Sequence, residues 1–381
     1  MTSLLELRKK IDQIDQQLLS LFEQRMALSL EVAKNKKSNA TPVANPAREA
    51  EILETVSDTL SPQIEGYGRI LYHTIFDVSR SYQNLYLSRI SDLGERIQVA
   101  LTDTPKIFPK KAMVACQGIE GSYSEAACKK LFAQPKTLFF NQFKHVFEAV
   151  DKGMCQYGIL PLENSSYGSV GPVYDLMRNY NFHIVRSVRL RVSHQLLARP
   201  GVSLDQIKEI LSHDQAIGQC GEFLSGLNQV KVTSCENTAT AARLVSESSR
   251  EDLAAIASKE CATLYGLSPL AHNIQDESNN YTRFICISKK LELYPGSSKI
   301  SLMLSVPHEP TSLYHLIAKF SCLGLNLTKL ESRPIPGSDF EFMFYFDLDA
   351  SIYADEVIKL LSELEASPEI FVFLGSYSEV I

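Results

Sequence analysis

The chain has 381 residues, of which 45% are hydrophobic and 22% charged, with a formal net charge of −6 and no tryptophan. That length exceeds what one hydrophobic core supports and predicts roughly two to four domains. The slightly acidic balance, without a basic block, gives no reason to expect a nucleic-acid partner. The start of the chain is charged and amphipathic, with no secretory pattern and no apolar run of bilayer length.

Eight cysteines are scattered singly, with no C-x-x-C pair and no metal-ligand spacing to histidine. They read as buried filler in a reduced, cytoplasmic protein that needs neither metal nor cofactor.

The first segment, 1–90, reads as wholly helical. Leu7, Ile11, Ile14, Leu18, Leu21, Leu28 and Val32 follow steps of four and three, and Arg25 fills the slot that interrupts them. The pattern predicts a helix of about 34 residues, roughly 50 Å long. Such a helix overruns a small monomeric domain and predicts a partner helix from a second chain. "NPAREAEILETV" opens a second helix, with Asn45 at the N-cap and Pro46 at the first position. A third covers 62–88, and the polar stretch 91–110 reads as a linker.

A guanidinium inside an apolar stripe needs a carboxylate partner, from protein or ligand. Lys36 lies three turns further along the same side as Arg25, Arg8 sits beside the stripe, and Ser79 and Gln83 share one face of the third helix. Arg8, Arg25, Lys36 and Arg48 can therefore converge on a small dianion, with Glu49, Ser79 and Gln83 adding polar contacts. The competing reading is a set of solvated helix faces.

The second segment, 111–290, alternates apolar runs ("AMVAC", "QYGILP", "FHIVRSVRLRVSHQLLA", "EILS", "KVTSC", "LAAIAS", "RFICIS") with helical patterns. This argues an α/β domain with largely parallel sheets and room for two lobes around a cleft. Four polar loops fall at strand-to-helix junctions: "GIEGSYSEAA", "PLENSSYGSV", "SHDQAIGQC" and "SCENTATAA". Free amides at helix starts favour anions, so four such loops plus "NNYTRF" (279–284) make a coherent anion cleft, although each alone also reads as an ordinary cap. The third segment, 298–381, reads β-α-β-β-α-β, the ferredoxin-like order.

The motifs "ELRKKIDQID", "FEQRMALSLEVAKNK", "PAREAEIL" and "SRSYQ" resemble the all-helical chorismate mutase domain that opens bifunctional P-proteins. By that resemblance Arg8, Arg25, Lys36, Arg48, Glu49, Ser79 and Gln83 bind chorismate, and Arg8 reaches into the partner subunit's site of a homodimer or larger homo-oligomer. Lys36 and Gln83 are the implied catalytic donors to the ether oxygen. Asn45 stands where relatives often carry Asp.

The α/β segment is similar to prephenate dehydratase, whose two lobes resemble periplasmic binding proteins. The similarity implies Thr282 as the catalytic residue, Arg283 as a binder of the prephenate carboxylate, and Glu163, Asn164, Ser212 and Gln219 around the cleft. Departures are Asp214 for a usual Pro and "ATAA" after Glu236. "LTKLESRPI" (327–335) resembles an ACT regulatory domain, implying a phenylalanine site at Thr311, Ser312, Leu313, Glu331, Ser332, Arg333 and Pro334, with Thr311 in place of a usual Gly. Taken together, the resemblance implies a feedback-regulated enzyme of phenylalanine biosynthesis with two activities. The rivals are a non-catalytic amino-acid sensor and an enzyme retaining one activity.

Overall fold

The computed structural model describes residues 3–39, 43, 45–87, 91–227, 229–337, 341–366 and 370–381. Positions 40–42 and 44 of the loop after the first helix, 88–90 at the end of the third, and 367 at the end of the last lie outside them. The chain divides into two compact units, Met1–Gln98 with Leu302–Phe373, and Val99–Ser301 with Leu374–Ile381.

In the first unit α1 (Leu4–Asn39) runs for 36 residues, about 54 Å at about 1.5 Å per residue. Its expected apolar stripe is exposed in the single chain, from Leu7 at 45% to Leu28 at 61%. The face that packs against α3 lies at the helix's far half, where Ala33 is fully buried. Helix α2 (Pro46–Thr59) starts as its sequence dictates: Asn45 Oδ1 accepts from the Arg48 amide at 3.2 Å and Pro46 fills the first turn. Helix α3 (Glu65–Leu87) crosses α2 closely at Gly68, where a Cβ would meet Leu60 at 2.1 Å.

The stretch read as a linker is structured. Helix α4 (Asp92–Asp103) forms there because Leu93, Ile97 and Ala100 recur at steps of four and three and are all buried.

The second unit holds two sheets. Its strands and helices run β1 (Lys111–Gln117), α5 (Tyr123–Leu131), β2 (Gln134–Phe140), α6 (Phe143–Asp151), β3 (Tyr157–Asn164), β4 (Gly168–Ser169), α7 (Gly171–Met177), β5 (His183–Arg191), β6 (Gln195–Ala198), β7 (Glu209–Ser212), α8 (Asp214–Gly218), α9 (Gly221–Ser225), β8 (Lys231–Ser234), α10 (Thr238–Glu247), β9 (Leu253–Ala257), α11 (Lys259–Tyr265), β10 (Ser268–Ala271) and β11 (Tyr281–Ser288). One sheet has the order β16-β5-β11-β3-β1-β2, where β16 is the short last strand Glu379–Val380, with β4 on β3; the other is β10-β6-β9-β7-β8. The expectation of largely parallel sheets needs correction. Strands β1, β2 and β3 are parallel, but β11 returns from the second lobe and runs antiparallel to both β3 and β5. In the second sheet β6 is likewise antiparallel to both its neighbours. Each lobe is thus a parallel start closed by a returning strand, which a chain crossing twice between lobes requires.

The segment after β11 supplies β12 (Lys299–Ser305), α12 (Ser312–Cys322), β13 (Asn326–Pro334), β14 (Phe342–Asp349), α13 (Asp355–Glu365) and β15 (Phe371–Tyr377). Their sheet order, β13-β14-β12-β15, is the ferredoxin-like one expected. The final strand β16 (Glu379–Val380) pairs in parallel with β5, and Glu379 there meets Arg189 at 2.5 Å.

Candidate active sites

In the second unit a cavity of about 430 Å³ is bounded by the starts of four helices: Ser122–Ser124 at α5, Ser169–Pro172 leading into α7, His213, Gln215 and Ala216 at α8 and Glu236–Thr238 at α10. These are the four polar loops singled out in the sequence. Three of the four starts are capped, with Ser122 accepting from the Glu125 amide, His213 from that of Gln215 and Asn237 from that of Thr240; Val170 before α7 makes no cap bond. Helix starts concentrate unpaired N–H groups and positive dipole ends, so the cavity favours an anionic occupant.

Thr282 and Phe284, alternate residues of β11, also line it, as does Asn164 from the end of β3. Asn164 Nδ2 donates to Thr282 Oγ1 at 3.0 Å and to Asn280 Oδ1 at 2.8 Å. Its Oδ1 accepts from the Ser166 and Tyr167 amides, both at 3.0 Å, and from Gln219 Nε2 at 3.4 Å. Gln219 Oε1 in turn meets His194 Nε2 at 2.8 Å. An amide oxygen only accepts, so His194 carries its hydrogen on Nε2. Burial pushes the His194 pKa down, which keeps the ring neutral near pH 7. His194 is buried at 2% exposure, and its Nδ1 has no hydrogen bond.

The relay fixes the direction of every hydrogen bond along it. Thr282 Oγ1 accepts from Asn164, which leaves its own hydrogen available to donate. Sequence reasoning missed His194 and His213. The signal for His194 was a histidine set at the entry to the apolar run "QLLA".

Three expected residues stand elsewhere. Arg283 is buried and ion-paired to Glu163 at 2.7 Å, and neither lines the cavity. Successive strand residues face opposite sides, so a cavity-facing Thr282 turns Arg283 away from it. The same alternation separates Glu163 from Asn164. Ser212 is fully buried and donates to the Ile256 carbonyl at 2.8 Å, tying β7 to β9.

In the first unit Arg25 donates to Ser79 Oγ, and its guanidinium lies 6.0 Å from the Phe76 ring. Burial lowers the Arg25 pKa. One turn beyond Ser79, Gln83 is buried and its Oε1 has no hydrogen bond. The helices thus bring together Arg25, Ser79 and Gln83. Lys36 Nζ donates to the Val43 carbonyl, while Arg48 is exposed and paired with Glu51 at 2.7 Å. Glu49 accepts from Arg80 through both oxygens at 2.6 Å. Arg8 is exposed and precedes Arg25 by 17 residues, about 25 Å along one helix at about 1.5 Å per residue. Within one chain it cannot join them.

A further cavity of about 360 Å³ is lined by Val306–Pro310, Ser312, Leu313, Phe342 and Phe344. Thr311, between them, has φ of 74°, the left-handed conformation that favours glycine. Glu331, Ser332, Arg333 and Pro334 sit on the edge strand β13, paired with residues 342–345 of β14, and do not line that cavity.

Residues 7–84 match the family model for chorismate mutase type II, and residues 114–292 that for prephenate dehydratase. The bifunctional chorismate mutase/prephenate dehydratase of Escherichia coli is 30% identical over 380 residues, covering 98% of this chain and 96% of that one. The Arabidopsis thaliana chloroplastic arogenate dehydratase/prephenate dehydratase 1 is 38% identical over 70% of this chain and 72% of its own. Among solved structures, prephenate dehydratase from Arthrobacter aurescens in complex with L-Phe superposes with a TM-score of 0.64 at 29% identity, over 70% of this chain and 89% of that one.

Proposed function

The chain belongs to the family of bifunctional chorismate mutase/prephenate dehydratases, and from that membership we infer how its residues carry the two reactions. It converts chorismate to prephenate and prephenate to phenylpyruvate, with phenylalanine as the feedback effector.

The dehydratase reaction takes place in the cavity ringed by four helix starts. Prephenate binds there as a dianion held by the amides of those starts. The ring carboxylate leaves as carbon dioxide, its C–C electron pair enters the ring, and hydroxide departs from the opposite carbon. Thr282 hands its hydroxyl hydrogen to that hydroxide, giving water, and regains a proton from solvent water as the products leave; aromatisation drives the step. The observation that carries this assignment is the Asn164–Thr282 hydrogen bond, which leaves the threonine's own hydrogen available to donate. Asn164 and Gln219 hold the donor in place, a preorganisation that lowers the barrier without reorganisation during the reaction.

The mutase reaction is a pericyclic shift and needs no nucleophile. Arg25 grips a substrate carboxylate, with Ser79 orienting the guanidinium. Lys36 and Gln83 donate to the ether oxygen as charge builds there, and Arg48 and Glu49 complete the site. Arg8 completes the site of the partner in a homodimer formed along the exposed α1 stripe. Phenylalanine occupies the cavity beside Ser312 and Leu313. Among the described residues no helix is long and apolar enough to cross a membrane, and we place the enzyme in the cytoplasm.

Purified protein assayed separately with chorismate and with prephenate tests both activities. Arg25→Ala is expected to abolish turnover of chorismate and leave that of prephenate intact. Equal loss of both activities in a folded variant would overturn the assignment of separate sites.

A further inference from the structure

A continuous polar line runs from the effector loop to Glu49. Thr311 Oγ1 meets His315 Nε2 at 3.0 Å, one turn into α12. His315 Nδ1 meets Asp77 Oδ2 at 2.6 Å, and Asp77 Oδ1 accepts from Arg80 Nη2 at 2.6 Å. Arg80 Nη1 then grips both oxygens of Glu49. Each link is short and charge-assisted from His315 onward, the class of hydrogen bond with the strongest orienting power.

Asp77 is the junction. Its side chain is 4% exposed, so its charge depends on the two partners it has, one from its own helix and one from α12. The helices are registered around it: Thr74 Oγ1 meets the Tyr314 hydroxyl at 2.8 Å, and the His73 and His315 rings lie 5.9 Å apart. A displacement of the first turn of α12 therefore acts on the Asp77 carboxylate, and through Arg80 on Glu49. Thr311 is where such a displacement begins, because a β-branched residue at φ of 74° is held there by its surroundings.

We propose that Arg80 and His315 are positioning residues of the chorismate mutase: Arg80 fixes the Glu49 carboxylate for substrate, and His315 fixes Arg80 through Asp77. The regulatory segment thereby holds one wall of the mutase site. This rests on the reading of Glu49 as a mutase-site residue.

The test uses the full chain. His315→Leu removes the link to Asp77, whereas His315→Asn keeps an N–H near the place of Nδ1. The His315→Leu variant is expected to raise the mutase KM for chorismate about tenfold with kcat little changed, and His315→Asn to stay near the parent. Prephenate turnover, measured on the same samples, reports folding and is expected to be unchanged. Glu49→Gln is expected to lose most mutase activity. A parental KM in His315→Leu, beside an impaired Glu49→Gln, would overturn the coupling alone. Equal KM changes in the Leu and Asn variants would overturn it too, since only packing would then be at stake. Normal mutase activity in Glu49→Gln would overturn the site reading and the proposal with it.

Discussion

Asn164 donates its amide hydrogen to the Thr282 hydroxyl, and that bond leaves the hydroxyl's own hydrogen available to donate, on a residue that lines the cavity. Removing the hydroxyl removes the donor and leaves the anion-binding helix starts untouched. Thr282→Val is therefore expected to lower kcat for prephenate by about 10²–10³ with little change in KM, as for other lost transition-state donors. Thr282→Ser keeps part of the rate, because its rotamer is less restricted. Steady-state kinetics with mutase activity as internal control check both. A near-parental kcat in Thr282→Val would move the acid elsewhere in the cavity.

His194 is buried with its pKa pushed down, so folding disfavours its charged form. Below the ordinary histidine value the unfolded chain binds a proton that the folded chain refuses, and stability falls as pH falls. His194→Gln is thus expected to flatten the decline of stability between about pH 7 and the depressed folded value. Denaturant melts at pH 7.5 and 5.5, parent against variant, read the difference. The same slope in both would remove His194 from the account.

Arg283 and Glu163 stabilise one another outside the cavity. Arg283→Ala removes the guanidinium from the Glu163 carboxylate, and is expected to cost up to about 3 kcal/mol, the low end for a broken buried pair because Glu163 is 32% exposed. The pair Arg283→Met with Glu163→Gln should recover much of that loss. A KM for prephenate that rises in Arg283→Ala without any loss of stability would instead return the arginine to substrate binding.

The α1 stripe offers a fourth test. Placing charge on two exposed stripe residues, Ile14→Asp with Leu18→Asp, costs a monomer little but disrupts a helix pair between chains. Sedimentation is expected to show dissociation together with loss of mutase activity and retention of dehydratase activity. An active monomer would contradict the role given to Arg8.

Much of this architecture was legible because its signals are local. The period of α1, the Asn45–Pro46 start of α2, the β-α-β-β-α-β order and the four helix-opening loops are each written within a few residues. What escaped depends on partners distant in sequence. Strand β2 opens on Gln134–Pro135–Lys136–Thr137, with apolar residues only at its end, so its pairing with β1 is what makes it a strand. "QAIGQCGEFLSG" reads as one helix but breaks at Gln219–Cys220, where Gln219 turns to meet both His194 and Asn164. Arg283 beside Thr282 looked like a shared site, whereas strand alternation sends the two to opposite faces. The approach of His315 to Asp77 spans 238 positions and leaves no trace in either neighbourhood.

The last strand alters what a deletion means. After β15 the chain rejoins the unit that holds the helix-ringed cavity, and β16 extends the sheet of β3 and β11 beside β5. Gly375 permits the return: a Cβ there would stand 2.3 Å from the Ile184 carbonyl oxygen, at a φ of 143° that side chains rarely adopt. Gly375→Ala is accordingly expected to loosen the dehydratase, seen as a lower melting temperature with weakened prephenate turnover. A chain cut before residue 298 loses an edge strand of the sheet that carries Thr282 along with the ferredoxin-like segment. Desensitised enzyme made by truncation would thus be a frayed enzyme, and feedback is better removed by single substitutions than with scissors.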